Sequence, residues 1–234
     1  MNPHLDCFET ILLAELRLGL SPLFYNRLME NSDDWAFVLK FHSFFEGAIT
    51  KLLEEKLVAK NGTQESMTSR DSFVSRVHQA DRLGLLEPDY RSFLIGLNRL
   101  RNEITHNLRF IEFDFRAYVD GLSDKDFRRT AAALCIGFKN APVVDSWREV
   151  FQLRSKAPNR VIRTSRELFW HLSPRATLWF SGVGTLDLIS LQFHVDLKGD
   201  TPQYEEGIEA RLQDLLLDPA VIEFKRNYQN LFPK

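Results

Sequence analysis

The residues of this chain whose types and spacing could do chemistry are Arg101, Asn102 and His106, within the run Arg101-Asn102-Glu103-Ile104-Thr105-His106. An imidazole that titrates near neutrality can take a proton and return it. A guanidinium can hold a phosphate through two parallel hydrogen bonds. Together they are what phosphodiester cleavage of RNA needs without a metal: a base for the ribose 2′-hydroxyl, an acid for the leaving 5′-oxygen, and a cation for the charge that builds on the phosphorane. One His and one Arg make a thin set. Two copies brought together across a two-fold axis would supply both acid and base.

The element that must position them is a helix predicted from Asp89 to Asn107. At about 100° per residue, Phe93, Leu94, Leu97, Leu100, Ile104 and Leu108 fall on one arc, the core face. His106 points nearly opposite, with Asn102 four residues earlier on the same face and Ile95 and Arg99 beside them. Arg101 falls inside the apolar arc, next to Leu97 and Ile104. A guanidinium there must snorkel, pair, or line a cleft, and such departures from local consistency are enriched at functional sites. The negative end of the helix dipole favours imidazolium at His106, while Arg101 and Arg109 oppose it. The same residues also admit a structural reading, in which His106 caps the helix, Asn107 ends it, and Arg101 pairs with a carboxylate on a neighbouring helix. Spacing alone does not exclude that reading.

Arg101-Asn102-x-x-x-His106 on a late helix resembles the signature of the HEPN superfamily, an Arg and a His separated by four to six residues, often with a polar residue directly after the Arg. Ser72-Phe73-Val74-Ser75-Arg76-Val77, leading through Leu83-Gly84-Leu85-Leu86 to Leu97-Asn98-Arg99-Leu100-Arg101, resembles the mannitol-repressor-like branch. The likeness covers about residues 30 to 110. It implies an antiparallel helical bundle and divides on function. Many such proteins are metal-independent endoribonucleases that act as homodimers in toxin systems and prokaryotic defence. Others, the mannitol-repressor-like branch among them, are regulators or protein-interaction modules. The resemblance therefore implies RNA as the substrate, with Arg101 on the phosphate, Asn102 positioning and His106 moving the proton. It also allows a separate antitoxin or regulatory partner.

Composition agrees with a globular chain. At 234 residues and 44% hydrophobic it can bury a core. Nineteen Phe against five Tyr points to aromatics used for packing. A net charge of -2 leaves no global field to attract nucleic acid, so an RNA site would have to be a local patch. Cys7 and Cys135 lie in no Cys/His cluster, so no metal and no cofactor is expected, and both read as small core hydrophobes in a thiol-keeping cytosol. The start lacks the basic region of a signal peptide. The apolar run from Ala176 to Leu197 carries Asp187, Ser190 and His194, which predicts a buried helix rather than a membrane span. A soluble, cytoplasmic protein is expected.

Periodicity predicts an all-α chain. Leu5, Phe8, Leu12 and Leu16 mark a first helix, with Glu9 and Glu15 expected on its solvated face. Val38, Phe41, Phe45, Ala48, Ile49 and Leu52 mark a long second one running to about Ala59. Thr68 or Ser69 is expected to cap the next, with Gly84 ending it. The segment around Phe110, Phe113 and Phe115 reads as either extended or a short helix. Ser123-Asp124 caps another helix, expected to reach Phe138. Helices are expected from Pro158 to His171, after Ser173-Pro174, from Tyr204 to Leu217 and from Pro219 to Leu231. Pro142 and Pro158 set a weak boundary, which gives a HEPN-like bundle over 1–140 and a helical extension over 141–234 that packs on it or continues it.

Arg160, Arg163 and Arg166 form a basic stripe three residues apart, within a stretch that also holds Arg148, Arg154, Lys156 and Arg175. With Arg99 and Arg109 it would supply RNA-backbone contacts. The alternative is a solvated face pairing with the acidic stretch from Asp196 to Asp218. Gly182-Val183-Gly184 follows no strand and is no phosphate loop. Its small residues suit a close helix approach.

Overall fold

The computed structural model describes residues 3–30, 33–61, 71–107, 110, 112–136, 165–194 and 201–231. Helix α1 (Pro3–Arg17) leads into a short α2 (Phe24–Arg27) and a 3-10 turn (Leu28–Glu30). Then come α3 (Asp34–Asn61), α4 (Phe73–Arg82), α5 (Pro88–His106), α6 (Phe115–Gly121), α7 (Asp124–Leu134), α8 (Ser165–Leu172), α9 (Pro174–His194), α10 (Thr201–Leu216) and α11 (Pro219–Leu231). Among the described residues there is no strand, so the fold is all-α as its periodicity predicts. No described helix is long and apolar enough to cross a membrane.

The motif helix α5 is held on three sides, by α3, α4 and α7. On α3 the predicted stripe Val38, Phe41, Phe45, Ala48, Ile49 and Leu52 is buried, and α5 answers with Phe93, Leu94, Leu97, Leu100 and Ile104. Phe93 meets Phe41 and Phe45 edge-on, with ring centroids 6.4 and 5.8 Å apart, the arrangement that aromatic quadrupoles favour. Against α7 the helices close further. A Cβ on Gly96 would lie 2.9 Å from the Ala133 Cβ, so only a glycine permits this crossing without a shift.

Helix α9 runs through the middle of the described structure and packs on α1, α3, α6, α7 and α8. It is mostly apolar and largely buried, with no single apolar stripe, and Asp187 is the one acid along it. Its few hydroxyls turn to backbone: Thr177 donates to Phe169 O and Ser173 O, and Thr185 to Ser181 O, which satisfies them without a solvated face. Gly182 sits where a Cβ would overlap the Tyr25 hydroxyl and the Phe41 ring. Gly182 thus serves close approach, while a Cβ at Gly184 would make only ordinary contact with Tyr90 at 3.5 Å. Trp170 and Trp179 are fully buried, and Trp179 O accepts the Tyr25 hydroxyl at 2.7 Å. The helices after residue 165 therefore share one hydrophobic cluster with the helices before residue 135.

Several local expectations are corrected. Glu15 is not solvated: it is 0% exposed. Its carboxylate accepts the backbone N–H groups of Leu23 at 2.7 Å and Tyr25 at 2.6 Å, closing the elbow between α1 and α2 where Leu23 takes a left-handed φ of 67°. The reason is that the buried face of α1 centres on Phe8, Ile11 and Leu18 rather than on Leu16, and Glu15 falls about 20° from Phe8 on the wheel. The cap of α4 is Ser72, which accepts from Ser75 N, not Thr68 or Ser69. Ser123 caps α7 as expected, but the helix ends at Leu134 rather than Phe138. After Phe113 the ambiguous aromatic segment resolves into α6, capped by Asp114 through Ala117 N at 2.7 Å. Asp34 ties three helix starts together: it accepts Phe115 N at 2.9 Å and meets Arg175 at 3.1 Å. Leu108 and the expected break from 141 to 158 lie outside the described residues.

Candidate functional site

The site is the C-terminal end of α5. The helix ends at His106, with Asn107 as a C-cap in extended conformation. Ile104 is buried, and His106 is exposed on the opposite side, which is where the wheel puts both. Thr105 turns its hydroxyl back to Arg101 O at 2.9 Å.

Arg101 and Asn102 are both half-buried, and the structure brings them together: Arg101 Nη1 donates to Asn102 Oδ1 at 2.9 Å. Among the described residues no carboxylate pairs with Arg101. The expected structural alternative for this residue, an ion pair with a neighbouring helix, is therefore not made within the described residues. A half-buried guanidinium held by a neutral amide keeps its charge available to an anion. No hydrogen bond joins His106 to Arg101 or Asn102. One chain presents a hydrogen-bonded Arg–Asn pair and an exposed imidazole on the same helix end, not a closed constellation.

Behind Arg101 lies a polar layer that links three helices. His42 on α3 is 3% exposed and its Nε2 donates to Asn98 Oδ1 on α5 at 3.1 Å. Its other nitrogen faces Glu46 at 3.9 Å, which also accepts Arg76 of α4. Arg76 reaches Thr50 at 3.1 Å as well. Burial lowers the affinity of His42 for a proton. Asn98 and Glu46 raise it, and the nearby charges of Arg101 and Arg76 lower it again. The outcome is a lowered pKa, so His42 is a neutral packing residue at pH 7, its ring edge-on to Phe73 at 4.8 Å. Nothing in the sequence marks His42 as backing the motif, because its bond to Asn98 spans 56 positions.

The other flank of α5 forms a cleft of about 180 Å3 with α6 and α7. Arg99 and Glu103 stand on its α5 wall, Tyr118 on α6, and Asp126 and Arg129 on α7. The Tyr118 hydroxyl donates to Glu103 Oε2 at 2.9 Å. Burial first, and then the charge of Glu103, push the phenol well above its ordinary pKa, which keeps it a donor. Arg129 pairs with Asp126 at 2.9 Å. Glu103 and Tyr118 were missed at the sequence level, although Glu103 sits inside the motif run.

Of the expected basic track, Arg166 donates to Ala132 O at 3.1 Å, in the last turn of α7, and Arg175 is engaged by Asp34. Arg99 lies on the exposed side of α5 and lines the cleft. Arg109, Arg160 and Arg163 lie outside the described residues. Cys135 is buried, and burial pushes its thiol pKa up, which leaves it an inert core residue. No protein-family model matches the chain, and no curated protein or solved structure matches it either.

Proposed function

We propose that the protein is a metal-independent endoribonuclease of the HEPN type that works as a homodimer. The observation that carries this reading is the half-buried Arg101, without a carboxylate partner among the described residues and held by Asn102, one turn before an exposed His106. Arg101 holds the scissile phosphate and offsets the charge of the phosphorane, with Asn102 fixing its guanidinium. His106 takes the proton of the ribose 2′-hydroxyl as that oxygen attacks phosphorus. A second copy of His106 across the two-fold gives a proton to the leaving 5′-oxygen, so the step closes as a 2′,3′-cyclic phosphate and a free 5′-hydroxyl. One chain supplies one imidazole at this helix end, and the second copy supplies the other.

The test is total RNA incubated with the protein in EDTA, beside Arg101→Ala and His106→Ala forms. Cleavage that persists in EDTA and is lost in both variants supports the reading. Intact RNA under every condition, with both variants folded, overturns it. That result would favour the mannitol-repressor-like alternative, a regulator or interaction module in which the same helix end docks a protein partner.

A further inference from the structure

On the α6/α7 side of α5, the cleft holds groups that the cleavage step does not use. Its charges alternate: Arg99 and Arg129 against Glu103 and Asp126. Their sum is neutral, so the cleft lacks the positive excess that a phosphate subsite would show. Between the charges lie apolar surfaces from Leu100 and Leu122. Donors and acceptors set around an apolar slot match the edge and faces of a heteroaromatic base. The volume of about 180 Å3 is smaller than the roughly 300–1,000 Å3 of pockets for drug-sized ligands, and suits one base rather than a whole nucleotide.

Two polar groups remain open. Arg99 and Glu103 are four residues apart on one helix face, a spacing at which such residues commonly pair. Here they do not pair. Glu103 turns one carboxylate oxygen, Oε2, to the Tyr118 hydroxyl at 2.9 Å, and Oε1 makes no hydrogen bond among the described residues. Arg99 makes no hydrogen bond or ion pair among the described residues. Asp126 and Arg129 are by contrast engaged with each other, and Asp126 also accepts the Ser123 hydroxyl at 2.7 Å. A guanidinium beside a free carboxylate oxygen is the complement of guanine: O6 and N7 accept from Arg, while N1–H and the 2-amino group donate to a carboxylate. Adenine offers only N7 and one amine, uracil one N–H and its carbonyl oxygens, and cytosine one amine beside its acceptors, so each fills only part of the set of two acceptors and two donors that guanine presents.

We propose that this cleft is a base-recognition pocket that takes a guanine of single-stranded RNA next to the scissile phosphate, read by Arg99 and Glu103 and oriented by Tyr118. As a specificity pocket of a nuclease it rests on the function proposed above. Its place supports the link: His106 follows Glu103 by three residues and Arg99 by seven, about 4.5 and 10.5 Å along the helix axis.

Titration of the protein with guanosine, adenosine, cytidine and uridine, followed by NMR, tests the pocket without any cleavage. Guanosine should bind about fivefold or more tightly than the other three, the lower end of what one bidentate side chain–base pair discriminates. Glu103→Gln, which still accepts from Tyr118, should abolish that preference, as should Arg99→Gln on the exposed face. Equal binding of all four nucleosides, or none, overturns the proposal. So does a guanosine preference that both variants retain. Sites cut in a defined RNA supply the second readout and should fall within one or two nucleotides of guanosines. Cuts with no relation to guanosine overturn the pocket and leave the nuclease standing. Guanosine-selective binding with no RNA cut supports the pocket and overturns the nuclease.

Discussion

Two charged residues inside helices meet opposite fates in this molecule. Glu15, at the elbow of α1 and α2, is fully buried and both its oxygens are filled by backbone N–H groups, of Leu23 and Tyr25. Arg101, at the end of α5, is only half-buried, and its guanidinium donates to one amide oxygen. Folding uses up the first charge and leaves the second open. Burial of a polar group is stabilising only when its partners are complete. Glu15 is thus a part of the architecture, whereas Arg101 carries a charge that the architecture does not need. That difference separates a structural polar residue from a candidate site more sharply than burial does.

The comparison breaks most visibly in activity. Arg101→Ala and His106→Ala should each lower RNA cleavage by about 10²-fold or more, the scale of a lost acid–base or charge-stabilising group, while thermal unfolding stays close to that of the unsubstituted protein. A large drop in Tm for Arg101→Ala would show that this residue is as structural as Glu15.

Glu15→Ala should do the reverse. It strands two buried N–H groups, each costing about 1–3 kcal/mol, so urea unfolding should show a loss of about 2–6 kcal/mol. RNA cleavage by the fraction that remains folded should be unchanged. A loss below about 0.5 kcal/mol would mean that water or a neighbour replaces the carboxylate.

Periodicity exposed Arg101 and hid Glu15, for a physical reason. The apolar stripe of α5 is clean, with Phe93, Leu97, Leu100 and Ile104 buried, so a guanidinium inside its arc stands out. The expected stripe of α1 includes Leu16, which is only half-buried; the buried face turns instead towards Ile11 and Leu18 and takes in Glu15. A wheel registers which face is apolar. It cannot register a carboxylate buried because a turn eight to ten residues later brings it two N–H groups. The cap of α4 was a local misreading, since Ser72 accepts from Ser75 N only three residues on, but the same limit explains the unforeseen layer of His42, Asn98, Glu46 and Arg76. Each helix there was legible from its own spacing, while the bonds between them join positions that share no local pattern. The stretch of α5 that carries Arg101 and His106 was legible because its chemistry is local to one helix. The Glu103–Tyr118 bond was not, since it depends on how α6 returns.

The pH dependence of stability sharpens the contrast. Burial pushes the Glu15 carboxyl up to about 7 from its ordinary 4.5, against the two N–H bonds and Arg27, which lower it. The folded state therefore holds a proton that the unfolded chain has released across this interval. Stability contributed this way is full below about pH 4.5 and is lost as pH rises towards 7, by up to about 3 kcal/mol at 1.36 kcal/mol per pKa unit. Glu15→Gln cannot ionise and should remove that slope from a series of urea titrations between pH 4.5 and 7.5. An unchanged slope would assign it to other groups, such as Asp34, whose carboxyl is also raised by burial.

The smallest effect is the most discriminating. Arg101→Met keeps an unbranched stem against Leu97 and Ile104 and deletes the charge. If the charge has no structural partner, the substitution removes a desolvation cost and a single hydrogen bond to Asn102. These oppose each other, and replacement of such a group by an apolar residue is often neutral or stabilising. The expected change is between zero and about 1 kcal/mol of added stability, read in urea at pH 7, together with loss of RNA cleavage. Glu15→Met, by the same logic, should destabilise, because its two backbone donors remain and have nowhere to go. Should Arg101→Met instead cost about 2 kcal/mol or more, the guanidinium has a structural role after all, and its charge is as fully used by the fold as that of Glu15.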